Sequence, residues 1–192
     1  MARPKDFNPE QALAAAMNVF WRLGYENTSL DVLMDEMGIN KQSLYDTFGD
    51  KRSLYLKALA HYRDETQASM RQMFASVPRI KDGFTRLLLG ISAESKQQHA
   101  RGCLLLSANM ERSTGDIVIA EFLQDNQATV ESIFADALRR AQSAGELSRK
   151  QDPAALARFF VATIQGMRAM ARVKSDSHAL RQIARVALRV FE

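Results

Sequence analysis

The sequence predicts an all-α fold, a short N-terminal helical module followed by a longer helical domain, and three observations carry that prediction. Apolar residues recur three and four positions apart along almost the whole chain, with no strand-like alternation and no internal repeat. Between these periodic segments stand the residues that start and stop helices, among them Asn8-Pro9, Gly24, Gly38-Ile39-Asn40 and Gly49-Asp50. The composition, with 46% hydrophobic and 25% charged residues and only 4 Pro and 9 Gly in 192, is that of a folded chain long enough for a small module joined to a larger one.

Asn8, Pro9 and Gln11 supply an N-cap, a first-turn proline and a capping-box partner. Leu13, Ala16, Met17, Phe20 and Trp21 follow at helical spacing, so a first helix is predicted from Pro9 to about Leu23, ending at Gly24. Thr28 with Asp31 three residues on resembles the next cap, and Leu30, Leu33, Met34 and Met37 share one face before Gly38 stops the helix. Asn40 then caps a third helix of about two turns. Leu44, Tyr45 and Phe48 mark its narrow apolar side, and Lys41, Gln42, Ser43, Asp46 and Thr47 face outward.

Gly49 and Asp50 break and restart the chain, and Leu54, Leu56, Ala58, Leu59 and Tyr62 open a longer fourth helix reaching about Phe74. Beyond Pro78, helical segments are expected near residues 80–96, 102–111, 116–144, 153–174 and 177–191. In the last of them Leu180, Ile183, Ala184, Ala187, Leu188 and Phe191 form one stripe, with Arg181, Arg185 and Arg189 opposite, so one face must be buried.

Several function classes are disfavoured. No run approaches the roughly 20 apolar residues that span a bilayer, and no apolar stretch follows a basic region at the N-terminus, so no membrane partner and a cytoplasmic location are expected. A single cysteine, Cys103, cannot form an intrachain disulfide, which suits a reducing compartment. His61, His99 and His178 are far apart and lack carboxylates at metal-ligand spacing, so they read as solvated or capping residues and no metal or other cofactor is expected. There is no nucleophile elbow, phosphate loop or pair of acids on one helix face, so an enzyme is not expected.

The formal net charge of +4 favours approach to nucleic acid without establishing it. Its distribution complicates the picture, because residues 1–62 carry seven Lys and Arg against eight Asp and Glu and are net −1. The positive groups bunch at Arg3 and Lys5, at Lys41, and at Lys51, Arg52 and Lys57, which leaves room for a narrow binding face. Arg3 and Lys5 suit an arm entering a minor groove, or a frayed solvated terminus.

Residues 28–54 fit a helix-turn-helix: Gly38 makes the turn, Leu33, Met37, Ile39, Leu44 and Phe48 lock the two helices, and Lys41, Gln42, Ser43 and Tyr45 are placed to touch DNA. Spacing alone leaves the alternative of an ordinary helix hairpin in a ligand- or partner-binding bundle. The order Phe20, Gly24, Thr28, Ser29, Gly38, Ile39, Lys41, Ser43, Leu44, Tyr45, Phe48, Lys51 and Leu54 resembles the TetR family of bacterial transcriptional regulators. The resemblance is specific over about residues 8–57 and architectural afterwards.

That resemblance implies an all-α chain divided into a helix-turn-helix DNA-binding domain, residues 1–57, and a helical ligand-binding and dimerisation domain, residues 58–192. It implies a homodimeric, ligand-responsive repressor on a palindromic double-stranded operator. Position by position, Thr28 or Ser29 would meet a phosphate, Gln42 and Ser43 base edges, Tyr45 and Thr47 the backbone, and Lys41 and Lys51 phosphates. Asp46, where relatives often carry a neutral aromatic, and Gln42, where many carry glycine, depart from the pattern. An acid would be repelled by phosphate, so Asp46 is expected to cap, to pair with a cation or to face a cytosine amine.

For the second domain the resemblance implies a small-molecule effector. Candidate lining residues are Phe84, Leu88, Ile91, Leu105, Met110, Phe122, Phe134, Phe160, Met167 and Met170, though apolar side chains at helical spacing are usually core and each reads first that way. Cys103, beside Arg101 near a helix start, could act as a thiol switch for oxidants or electrophiles, or pack as a small apolar residue. The two C-terminal helices are expected to pair with those of a second copy, with Gly166 permitting close approach.

Overall fold

A computed structural model describes residues 7–111 and 116–192, so Arg3 and Lys5 lie outside the described residues. Among the described residues ten α-helices follow in order: α1 Pro9–Leu23, α2 Leu30–Met37, α3 Lys41–Phe48, α4 Lys51–Ser76, α5 Ile80–Ala93, α6 Lys96–Arg101, α7 Leu104–Met110, α8 Ile117–Ser143, α9 Pro153–Val173 and α10 Ser177–Leu188, with a 3₁₀ turn at Arg189–Phe191. No strand occurs among the described residues. None of these helices is long and apolar enough to cross a membrane.

Side-chain caps set the first boundaries. Asn8 Oδ1 accepts from the amides of Glu10 and Gln11, Asn40 Oδ1 accepts from Ser43 at 2.8 Å, and Asp50 Oδ1 accepts from Ser53 at 2.7 Å. Each satisfies amides that the first turn of a helix leaves without an intrahelical partner. Two expectations are corrected. The cap of α2 is Ser29, whose Oγ accepts from the Val32 amide, and not Thr28. The segment expected over 80–96 stops at Ala93, because Ser95 and Gln98 form a reciprocal capping box that starts α6.

The chain forms two compact units, one of residues 1–66 and 103–120, the other of residues 67–102 and 121–192. In the first, Leu33, Leu44, Leu54 and Leu59 are fully buried, and Phe20 meets Tyr55 edge-on at 4.9 Å. Residues 103–120 belong here because α7 lies against α1, the Glu111 carboxylate accepts from the Tyr25 amide at 3.1 Å, and Asp116 binds Arg52. Tertiary contact therefore groups the chain differently from a single cut near residue 57.

The second unit is built around Phe74, Phe84, Phe134 and Phe160, with Phe84 stacked on Phe160 at 4.1 Å. The apolar stripe of α10 is buried as its periodicity requires, with Leu180, Ala184, Ala187 and Leu188 inside. His99 is the histidine that departs from expectation. It is buried, its Nε2 lies 2.7 Å from the Ile91 carbonyl and its Nδ1 2.6 Å from Ser175 Oγ, so it ties α6 to the end of α5 and to the α9–α10 connection. Both ring nitrogens are bonded, which is what makes burying an imidazole tolerable. His61 pairs with Glu65 on the same helix, and His178 is exposed. No group of three or more metal-binding side chains occurs among the described residues.

Candidate nucleic-acid interface

The third helix exists because the chain caps it at both ends and bolts it from behind. Leu44 and Phe48 are buried, and Leu33, Met37 and Ile39 pack beneath as the helix-turn-helix reading requires. Gly38 closes α2 in the left-handed region at φ 64°, where glycine carries no Cβ penalty, and its amide returns to Met34 and Asp35 carbonyls. At the far end Lys57 Nζ donates to the carbonyls of Phe48 at 3.0 Å and Thr47 at 3.4 Å. A cation at the negative end of a helix dipole stabilises that end.

With its inner face fixed, α3 turns Lys41, Gln42, Tyr45 and Asp46 outward as one exposed stripe, and Ser43 and Thr47 flank it half-buried. Tyr45, which sequence spacing groups with the apolar side, is 43% exposed. Gln42 and Asp46 are joined across one helical turn, the amide nitrogen donating to a carboxylate oxygen at 2.9 Å. This answers the question posed by the unusual acid: its partner is a neighbouring amide.

Other expected contacts are placed differently. Thr28 is 1% exposed and its hydroxyl donates to the Gly24 carbonyl at 2.6 Å, so of the pair Thr28 and Ser29 only Ser29 is on the surface, and Thr28 is an interior residue rather than a phosphate ligand. Of the cluster Lys51, Arg52 and Lys57, Arg52 and Lys57 are committed to partners within the chain. Lys51 Nζ sits 4.4 Å over the Tyr25 ring, Arg52 makes a two-pronged bond to Asp116, and Lys57 caps α3. Lys41 is the lysine on the outward stripe of α3 itself.

The electrostatics follow these pairings. The Arg52 guanidinium, with helix-start amides of Val118 and Ile119, holds the Asp116 carboxyl at about 2 against the ordinary 3.8. Burial, then the neighbouring Glu26 and Asp50 carboxylates, pushes the Tyr25 phenol up. Burial does the same more strongly to Tyr55, so neither phenol ionises near neutrality. Bonds from Ser53 lower Asp50.

Glu111, Asp116 and Lys57 have structural roles here that sequence reading did not find. Asp116 and Glu111 lie more than sixty positions from the residues they hold, and no spacing rule joins them. Lys57 carried a weak signal, nine residues after Phe48 and nearly two turns into α4 beyond a tight break. Gly24 adds a related constraint: at φ +77° a Cβ would stand 2.6 Å from Glu111 Oε1.

The proposed effector-lining residues do not form one wall. Phe84, Leu88, Ile91, Phe134, Phe160 and Met167 are fully buried and packed on one another, so in this structure they are core. Met110 and Met170 are 67% and 49% exposed, Phe122 is half-buried, and Leu105 is buried in the first unit. Cys103 is half-buried at the N-cap position of α7.

Helix α9 carries two apolar faces. One, with Ala157, Phe160, Val161, Met167 and Ala171, is buried within the chain. The other, Ala155, Phe159, Ala162, Gly166, Met170 and Val173 at spacings of three and four, is exposed. A Cβ placed on Gly166 would meet nothing within 4 Å, so the backbone there is open to a neighbour.

Comparison with known proteins finds matches to both halves of the chain. Residues 12–58 match the model for bacterial regulatory proteins of the tetR family, and residues 76–187 match the tetracyclin repressor-like C-terminal domain. The uncharacterized HTH-type transcriptional regulator YezE of Bacillus subtilis is 30% identical with both chains covered completely. The HTH-type transcriptional repressor ComR of Escherichia coli is 31% identical over 98% of this chain and 91% of its own. Among solved structures, a cysteine-substituted variant of the TetR family transcriptional regulator CifR, in complex with 26-bp double-strand operator DNA, superposes with a TM-score of 0.87 at 30% identity over 100% of each chain.

Proposed function

This chain belongs to the TetR family of bacterial transcriptional regulators, and on that premise we propose that it is a homodimeric repressor that grips a palindromic operator and releases it in response to a small-molecule effector. The observation that carries the reading is the outward stripe of α3, polar, exposed and fixed from behind, in a chain whose full length resembles a regulator solved on its operator. Gln42 and Ser43 meet base edges, Tyr45 and Thr47 the sugar-phosphate backbone, and Lys41, Lys51 and Ser29 phosphates. Base contacts give sequence preference, and phosphate contacts give affinity and its salt dependence.

The division of labour is between a reader, residues 1–57 with residues 103–120 grouped beside it, and an effector-binding and dimerisation domain in the remainder of residues 58–192. Dimerisation is supported by the exposed apolar stripe of α9, which a second copy would cover. It serves the mechanism directly, since two recognition helices must reach successive major grooves about 34–36 Å apart. An effector changes DNA binding only by preferring one of two dimer geometries, and its differential affinity sets the size of the response. The relatives are transcriptional regulators, a non-enzymatic role, and we read this chain as non-enzymatic and cytoplasmic as well.

Gel shifts with genomic fragments containing the protein's own promoter, at moderate salt and with random competitor DNA, test the reading. Preferential retention of one fragment is expected, and equal retention of all fragments overturns it. A second reading concerns the signal: Cys103, half-buried at the start of α7, is the sensor, and an oxidant or electrophile is the effector. Replacing Cys103 with Ser then abolishes release by oxidants, and unchanged release ends that idea.

A further inference from the structure

We propose that Gln42 and Asp46 act as one base-reading unit, in which the carboxylate orients the amide and itself selects a base bearing an amino group. The inference rests on the DNA-binding reading above and deepens it. The two side chains are exposed on the outward stripe of α3 and are bonded Nε2 to Oδ1 at 2.9 Å. A carboxylate accepts and cannot donate, so the end of the Gln42 amide that faces Asp46 must be its nitrogen. One N–H is thereby used. The other N–H and Oε1 remain, and these are the donor and acceptor that together match N7 and the N6 amine of adenine in the major groove.

Asp46 contributes a second selection. After accepting from Gln42 its carboxylate still has lone pairs and no hydrogen to give, so it suits the amino group of cytosine or adenine and opposes the acceptor edges of guanine and thymine. Four residues of helix advance about 6 Å, against about 3.4 Å between stacked bases, so the two side chains address the same or closely neighbouring base pairs. The negative charge also repels every phosphate it passes. It lowers affinity for all sequences and is compensated only where an amino group meets it, which raises discrimination at the expense of grip. The reader is net −1 over residues 1–62, which fits a device of this kind.

The pair is not needed to hold the helix. The first turn of α3 is already capped by Asn40 and its last carbonyls by Lys57, and Leu44 and Phe48 anchor it from inside. A pair that merely stabilised the helix would leave the preferred sequence untouched.

The experiment is selection by the full-length protein from a pool of double-stranded DNA with a randomised centre, followed by affinity measurements on the enriched duplex and on a random duplex. Wild type, Gln42→Ala, Asp46→Ala and Asp46→Asn are compared, with circular dichroism to confirm that each is folded. Expected results are loss of an adenine preference in each half-site for Gln42→Ala, and relaxation at that position and a closely neighbouring one for Asp46→Ala. The ratio of enriched to random affinity falls about tenfold in Asp46→Ala, as for one lost side-chain–base pair. Asp46→Asn, able to donate, admits guanine or thymine at its position and binds random DNA more tightly. If the folded variants enrich the wild-type sequence unchanged, the pair is not a reader and the inference falls while the regulator reading stands. If wild type itself enriches no sequence, the regulator reading falls and takes the inference with it.

Discussion

Two exposed helix faces of this molecule are opposite in chemistry. On α3 the outward residues are Lys41, Gln42, Tyr45 and Asp46; on α9 they are Phe159, Met170, Val173 and small residues between them. The first face is stable in water because its polar groups are hydrated or paired, and it waits for a partner that offers hydrogen bonds and charge. The second leaves apolar area in water, a state that burial against another apolar surface improves by roughly 25 cal/mol per Å². The difference teaches how one chain keeps two partners apart: base edges cannot satisfy the α9 stripe, and a second copy has nothing apolar to gain from α3.

The adjacent phenylalanines Phe159 and Phe160 expose this comparison most sharply. Phe160 is fully buried and stacked on Phe84, so Phe160→Ala is expected to lower folding stability by about 3–5 kcal/mol in denaturant titration. Phe159 is 42% exposed, so Phe159→Ala is expected to weaken self-association measured by sedimentation far more than it destabilises the monomer. Equal stability losses with unchanged association would dissolve the distinction between the two faces of α9.

Gly166→Leu sharpens the same point. A Cβ there meets nothing within 4 Å and the position is exposed, so the fold should survive while dimerisation is blocked. Operator affinity is then expected to fall by tenfold or more, on the order of 1.4 kcal/mol. A dimeric Gly166→Leu protein would place the contact elsewhere.

At Gly24 the strain is in the backbone of the reader. Gly24→Ala forces a side chain to φ +77° and to 2.6 Å from Glu111, and about 1–2 kcal/mol of destabilisation is expected. Adding Glu111→Ala relieves the collision but not the dihedral strain. Full recovery in the double variant would mean that the clash alone was responsible.

The lysines separate at smaller magnitude. Lys41→Ala should reduce the slope of log affinity against log salt by about 1, as for a phosphate contact. Lys57→Met, removing the cap on α3, should leave that slope unchanged and cost about 0.3–1 kcal/mol in stability. Identical slopes in both variants would erase the separation between a lysine that holds DNA and one that holds the helix.

Acid titration gives the smallest effect. Asp116 is held at about 2 in the fold against 3.8 ordinarily, so the unfolded chain takes up this proton more readily. The contribution is complete above pH 3.8 and is lost as the pH falls to about 2. Denaturation midpoints of wild type and Asp116→Asn should therefore converge through that window, and a constant gap would remove the ion pair as its cause.

Much of the reader was legible in one dimension because its signals are local. Asn40, three residues before the amide it caps, and Gly38, at the left-handed position only a glycine tolerates well, act within a single turn, so the sequence could place α3 and its outward stripe. Asp46 was recognised as out of place next to phosphate, but its partner Gln42 became evident only from the bond itself. The basic cluster at Lys51, Arg52 and Lys57 is divided by the fold, because a cation's destination depends on what stands around it: Arg52 turns to Asp116 and Lys57 to the end of α3.

The sequence alone determined helix content, the turn chemistry and the buried stripe of α10, all consequences of periods and caps that span a few residues. Tertiary structure decided which charges face outward, that Thr28 and His99 are interior, that six of the candidate effector-lining residues pack on one another as core, and that Asp116 and Glu111 belong with the reader. The physical reason is range: caps and helical periods act through backbone geometry over four residues, whereas burial and ion pairing depend on groups that meet only once the chain has folded.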